Sequence, residues 1–86
     1  MLKVIKFSAD WCGPCRALKP VWEKIVSGTK DVEFEAINID VDSEKATQFK
    51  IQAIPTLVFL KDGVEVDRML GLVKEKEILD TINKLK

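Results

Sequence analysis

The chain contains no histidine and only two cysteines. Without histidine there is no Ser–His or Cys–His nucleophile pair, and most zinc sites are excluded as well. Two cysteines cannot build a multi-disulfide framework. Neither sign of charge is in excess, because 14 Lys and Arg balance 14 Asp and Glu. Proteins that bind nucleic acid or a membrane surface are usually basic, so neither partner is expected. No apolar run approaches the roughly 18 residues of a membrane span. The opening MLKVIKF is too short and too charged for a secretory signal. There is no repeat, linker or low-complexity tract. These absences leave a small cytoplasmic protein whose 86 residues fit one domain, residues 1–86, with a monomer as the default.

What is present reads as alternating strands and helices. LKVIKF, residues 2–7, is apolar and β-branched, and its weak alternation predicts a strand buried on both faces. From Gly13 to Ser27, the spacing of Leu18, Val21, Trp22, Ile25 and Val26 predicts a helix with one buried stripe. Gly28 stands where a C-cap glycine belongs, and Pro20 should bend or break the helix. VEFEAINI, residues 32–39, reads as a second strand. Asp42 or Ser43 can cap a short helix that buries Ala46 and Phe49. TLVFL (56–60) and VEVDRML (64–70) are two further strands joined by a KDG turn, with Gly63 at positive φ. Gly71 breaks the pattern, and a last helix from about Lys74 to Leu85 should bury Ile78, Leu79, Ile82 and Leu85. Strands flanking a helix are expected parallel with a right-handed crossover, and the last two form a hairpin. A mixed four-stranded α/β sheet with helices on both faces satisfies this order.

The two cysteines, Cys12 and Cys15, stand in the stretch ADWCGPCRALKP. A disulfide between them closes a loop too small to contribute much by entropy. In a reducing compartment a stable disulfide is unusual, so a reversible dithiol is the better reading. A helix brings residues i and i+3 to one face, and its first N–H groups and dipole stabilise a thiolate placed there. Pro14 fits a first helical turn, and Gly13 lets a partner's backbone come close. Cys12 at the helix tip is the expected nucleophile. Cys15, one turn in and less exposed, is expected to resolve the mixed disulfide. Such a reaction moves two electrons and calls for no cofactor and no metal. The competing accounts are two small buried residues, or half of a zinc site. A tetrahedral site needs two more ligands than one chain offers here, which leaves only zinc shared between two copies.

WCGPC at residues 11–15 resembles the active-site motif of the thioredoxin family. The likeness continues in AIPT (53–56), which resembles the family's cis-proline loop, in NID (38–40) and KDG (61–63), and in Gly71. It runs from about Lys3 to Leu85. It implies a thioredoxin fold, with the four strands in the order 2-1-3-4, as in glutaredoxins, flanked by three helices. It also implies a cis Ile54–Pro55 bond, a form almost confined to X-Pro. The backbone before that proline would pair with a substrate peptide like an added strand. Trp11, Gly13, Pro14, Ile54, Pro55 and Gly71 are then the expected substrate-binding residues, an apolar docking patch beside the thiols. The plainer alternatives are packing for Trp11, a trans proline at 55 and a structural bulge at Gly71. Trp22 is expected in the core, and Asp10 as a solvated charge.

Two features depart from the family pattern. A typical member has a strand and a helix before the segment that starts here at Met1, so strand 32–39 is expected at the sheet edge. Glu33 and Glu35 would discourage edge-to-edge pairing there. The second feature is Lys6, six residues before Cys12. The family usually has a buried Asp at this position, thought to assist deprotonation of the second cysteine, and its accompanying Lys aligns with Ala36. Charged and close to the thiols, Lys6 would favour thiolates and the reduced pair. Buried and neutral, it would accept the proton of Cys15. Snorkelling to solvent, it would do neither.

The resemblance implies a thiol–disulfide oxidoreductase that reduces protein disulfides. Its partners would be disulfide-containing proteins and a thioredoxin reductase or similar electron donor. Two other readings stay open. One is glutaredoxin-like, glutathione-dependent exchange, favoured by the short architecture, although Gly-Pro rather than Pro-Tyr between the cysteines favours thioredoxin. The other is a non-catalytic thioredoxin-fold subunit of a larger assembly.

Overall fold

Apolar side chains on both faces of one strand organise the molecule. In the computed structural model, which describes all of residues 1–86, this strand is β1 (Leu2–Ser8). It is followed by α1 (Gly13–Gly28), β2 (Val32–Asn38), α2 (Ser43–Gln48), β3 (Thr56–Lys61), β4 (Val64–Leu70) and α3 (Glu75–Leu85). The four strands form one sheet in the order β2-β1-β3-β4. β1 runs parallel to β2 and antiparallel to β3, and β3 and β4 form the hairpin. This is the α/β architecture expected from the sequence, with β2 at an edge and three helices around the sheet.

The pleat divides the core in two. Leu2 and Val4 of β1 join Leu57 and Phe59 of β3 on one face, under Leu18, Trp22 and Ile25 of α1 and Ile78 and Ile82 of α3. Ile5 and Phe7 point the other way, with Ile37 and Val58, against Ala46 and Phe49 around α2. Alternate residues of β1 therefore hold α1 and α3 on one side and α2 on the other. Leu79 and Leu85, expected to be buried, are only half-buried at the margin of the larger core.

Three local details differ from expectation. Pro20 does not break α1, which runs on to Gly28 with Pro20 on its solvent side. Gly28 is not a left-handed cap: it is the last helical residue, Thr29 leaves in extended form, and the left-handed residue is Asp31 (φ 63°). Phe49 lies just outside α2 as its C-cap. There the chain reverses through Lys50 (φ 54°), with Lys50 N–H donating to the Thr47 carbonyl and Ile51 N–H to that of Ala46. That pair of bonds is a Schellman motif with lysine in the glycine position. The start of α2 is capped by Asp42, whose carboxylate accepts the Lys45 N–H at 3.0 Å.

The hairpin turn is Asp62-Gly63, both at positive φ (51° and 87°), between the paired Lys61 and Val64. A two-residue turn of this kind matches the right-handed strand twist. At the open edge, Lys3 on β1 reaches Glu35 of β2 at 2.8 Å, with Glu33 at 4.0 Å. No helix is long and apolar enough to cross a membrane.

Phe59 has no exposed surface and sits where β3 meets both α1 and α3. Replacing it with alanine should cost about 3–5 kcal/mol by lost transfer energy plus the cavity left behind. Urea denaturation with an unchanged m-value is the check. A loss below about 1 kcal/mol would show that the larger core does not depend on this ring.

Candidate active site

β1 ends at Ser8 and α1 begins at Gly13, so four residues make the whole turn. Cys12 closes it. Its backbone is extended (φ −88°, ψ 115°), its N–H donates to the Ala9 carbonyl at 3.3 Å, and its side chain caps the helix. The cap bond runs from the Cys15 N–H to Cys12 Sγ at 3.2 Å. This N–H is among those that a helix leaves without a partner, and an anionic sulfur accepts it more strongly than a neutral one. Pro14 in the first turn has no N–H to leave unpaired, and that turn carries no acidic residue to oppose a negative sulfur.

Both cysteines are free thiols and both are buried, Cys12 at 6 % and Cys15 at 4 % exposure. The expected contrast in exposure is therefore slight. They differ in partners instead. Cys12 lies 3.9 Å from the Ile54 carbonyl, to which its thiol is positioned to donate. Both pack with Ala9, but only Cys15 lines the space beside Lys6. Burial pushes the Cys15 thiol pKa up, and the adjacent Cys12 sulfur adds to this. A backbone contact at Ala9 and the charge of Lys6 pull it back.

Two further loops complete the site. The Ile54–Pro55 bond is cis. Thr56 anchors this loop, its hydroxyl donating to the Ala53 carbonyl at 2.6 Å. The Gly71 N–H donates to the Pro55 carbonyl at 2.8 Å, with Gly71 at φ 82°, a conformation that side chains resist. Trp11, Gly13 and Pro14 are exposed, Ile54 and Gly71 are partly exposed, and the Pro55 ring is fully buried. The surface beside the thiols is thus made by Trp11, Ile54 and the backbone around Pro55, and Leu70 and Leu72, both exposed, flank Gly71.

Sequence reasoning did not assign Asp40. Its carboxylate accepts the indole N–H of Trp11 at 2.9 Å, and its own backbone N–H donates to Asn38 Oδ1 at 2.9 Å. The loop after β2 therefore holds the exposed indole in place. The NID segment carried that signal only as a likeness, because its partner is 29 residues away in the chain.

Lys6 is the only charged side chain the fold buries, at 7 % exposure. It stands between Leu57 and Ala36 in the sheet, and the small Ala36 leaves space beside it. Its ammonium lies 5.4 Å from the centroid of the Trp22 ring, a cation–π contact. The side chain as a whole is buried, but its ammonium is not fully enclosed. Burial lowers its pKa from the ordinary 10.5, and Lys19 adds to this, while Cys15 and Glu23 oppose it. Nowhere do three Cys, Asp or Glu side chains converge as a metal site.

The thioredoxin family model matches residues 1–84. A thioredoxin of Chlamydia pneumoniae is 45% identical over 84 residues, covering 96% of this chain and 81% of its own. One from Mycoplasmoides gallisepticum is 33% identical over 79 residues, 92% of this chain and 79% of its own. Among solved structures, Fasciola hepatica thioredoxin superposes with a TM-score of 0.92 at 41% identity, covering 99% of this chain and 81% of that one.

The buried lysine has a consequence for stability. Well below its lowered pKa, Lys6 is protonated in folded and unfolded chains alike, and the cost of burying the charge is fully present. As pH rises towards 10.5, the folded protein releases this proton first, the unfolded chain binds more protons, and stability rises. Lys6→Met should therefore gain most over its parent at low and neutral pH, with the gain shrinking as pH approaches 10.5. Chemical denaturation across pH, with Cys15→Ser in both proteins to remove the opposing thiol titration, reads this difference. A gain that grows with pH would contradict the assignment.

Proposed function

This chain belongs to the thioredoxin family and is a protein thiol–disulfide oxidoreductase, and from that premise we propose that it reduces protein disulfides through Cys12 and Cys15. The observation that carries this reading is the Cys12 sulfur seated at the N-terminus of α1, accepting the Cys15 N–H beside the Ile54 carbonyl. A substrate strand would lie along the backbone before the cis-proline and pair with Ile54, against Trp11, Gly13, Pro14 and Gly71. The Cys12 thiolate attacks one sulfur of the substrate disulfide. That bond breaks, the other substrate sulfur leaves as a thiolate and takes up a proton, and Cys12 is held in a mixed disulfide.

The second step belongs to Cys15. Burial and the neighbouring Cys12 sulfur raise its pKa, which disfavours a second negative charge beside the attacking sulfur. Once Cys12 is bonded to substrate, Cys15 loses its proton and attacks Cys12 Sγ. The second substrate sulfur departs, and the Cys12–Cys15 disulfide holds the oxidised state. Two electrons have passed to the substrate, which leaves as a dithiol, and no cofactor takes part. A thioredoxin reductase or similar donor would return the pair to the dithiol. In this reading residues 1–86 work as one domain, monomeric and in the cytoplasm.

Reductase-coupled insulin reduction tests the proposal. Cys12→Ser should abolish turnover. Cys15→Ser should accumulate mixed disulfides, visible as a mass shift that dithiothreitol reverses. Turnover with glutathione and glutathione reductase but not with thioredoxin reductase would move the function to glutaredoxin-like exchange. Full biological function in a Cys12→Ser strain would move it to a non-catalytic subunit.

A further inference from the structure

Behind the cysteine pair lies a cavity of 370 Å³ that plays no part in the steps above. Its wall includes Cys15 but not Cys12, Ile54, Pro55 or Gly71, so it opens on the other side of the pair from the substrate surface. Lys6, Arg16 and Lys19 line it, against a single carboxylate, Asp10. We propose that this cavity binds a small organic anion carrying a phosphate or carboxylate group, with the Lys6 ammonium as its principal anchor.

Three observations carry this. Its volume falls within the usual range of small-molecule sites, about 300–1,000 Å³. The cations lack anionic partners: none of Lys6, Arg16 and Lys19 is in any ion pair of the structure, and Lys6 has only the Trp22 ring beside it. Lys6 is the decisive one. It is more than nine-tenths buried and its ammonium has no hydrogen-bond partner in the protein, although no fully enclosed side-chain nitrogen or oxygen lacks one. The ammonium therefore keeps its remaining solvent contact, and the cavity that Lys6 lines is where that contact lies. Glu23 acts on Lys6 only at a distance and makes no bridge to it. A charge held this way is costly to the fold unless something pairs with it. An anion in the cavity would supply that pairing, with Ser8 and the Asn38 amide as further donors in the wall. The Asn38 carbonyl oxygen is already committed to the Asp40 N–H, which leaves its NH₂ group free.

Occupancy would be felt at Cys15. An anion beside the pair repels any thiolate charge that the reduced pair carries, and the uncharged disulfide carries none. The anion should therefore bind the oxidised protein more tightly, and by reciprocity shift the dithiol–disulfide balance towards the disulfide. This coupling rests on the redox reading of the pair, whereas the binding itself does not.

The first measurement is binding to the oxidised protein. Inorganic phosphate and succinate are titrated at constant ionic strength against chloride, with the amide signals of Ser8, Ala36 and Asn38 followed by NMR. Saturable shifts at these residues are expected, and the tighter of the two probes identifies the headgroup. Lys6→Met should weaken binding by about tenfold or more, the usual size of a charge-assisted hydrogen bond. Shifts that do not saturate, or binding that Lys6→Met leaves unchanged, mean an adventitious ion only and overturn the site. Should Lys6→Met not fold, Lys19→Met at the rim takes its place, and unchanged affinity there overturns the site equally. The second measurement equilibrates the parent protein with dithiothreitol with and without saturating probe. A shift towards disulfide of roughly fivefold is expected, at the low end of usual coupling. Binding without a shift overturns the coupling alone. Failure of the pair to exchange in either condition counts against the redox function instead, since the binding measurement involves no thiol chemistry.

Discussion

The site depends on where β1 ends. Because β1 is buried on both faces, its register is pinned from above and below, and it cannot slip without turning Ile5 and Phe7 into the wrong core. α1 is pinned as firmly by Leu18, Trp22 and Ile25. The four residues between them have little freedom left. They must deliver the chain to the first turn of α1, and the residue arriving there is Cys12. The helix then needs a cap, and the sulfur supplies it by accepting the Cys15 N–H. Core packing, helix capping and thiol chemistry thus meet in one hydrogen bond.

The same rigidity explains how residues distant in the chain share the surface. β3 begins beside the end of β1, since Phe7 pairs with Thr56, and β4 ends there too, since Thr56 pairs with Leu70. The loops before β3 and after β4 are therefore carried to the thiols by sheet register. The bond from Gly71 N–H to the Pro55 carbonyl ties these two loops together. Trp11 is placed differently, its indole held against Asp40 from the loop that follows β2.

Elements with a strong local signal were legible in the sequence. The seven elements and their order follow from apolar periodicity, and the Asp62-Gly63 turn from its residue types. Capping chemistry narrows the start of α2 to Asp42 or Ser43, and Asp42 is the cap. What escaped were choices settled by packing. Gly28 looks like a cap, but α1 simply continues to it and the chain reverses three residues later at Asp31. Pro20 looks like a breaker, but a long helix anchored on both sides of it by Leu18, Trp22 and Ile25 tolerates one missing hydrogen bond. The link from Trp11 to Asp40 and the cavity under Lys6 are contacts between segments far apart in the chain. No local pattern in the sequence encodes them.

Lys6 shows most clearly how one position couples stability to chemistry. A buried ammonium weakens the fold, and a methionine in the same space would not. Yet this charge lies over Trp22 and lowers the proton affinity of Cys15, against the burial and the Cys12 sulfur that raise it. The two thiols are equally hidden, so exposed surface alone cannot decide which reacts first. Their surroundings can. Cys12 receives an N–H at the end of a helix, while burial raises the pKa of Cys15 against a backbone contact at Ala9 and the charge of Lys6 that lower it. In the proposed order of attack, first Cys12 and then Cys15, the asymmetry is electrostatic, set mainly by the burial of Cys15 and trimmed by Lys6. Strengthening Lys6's pull would narrow the difference between the thiols, and an anion that neutralised it would widen the difference.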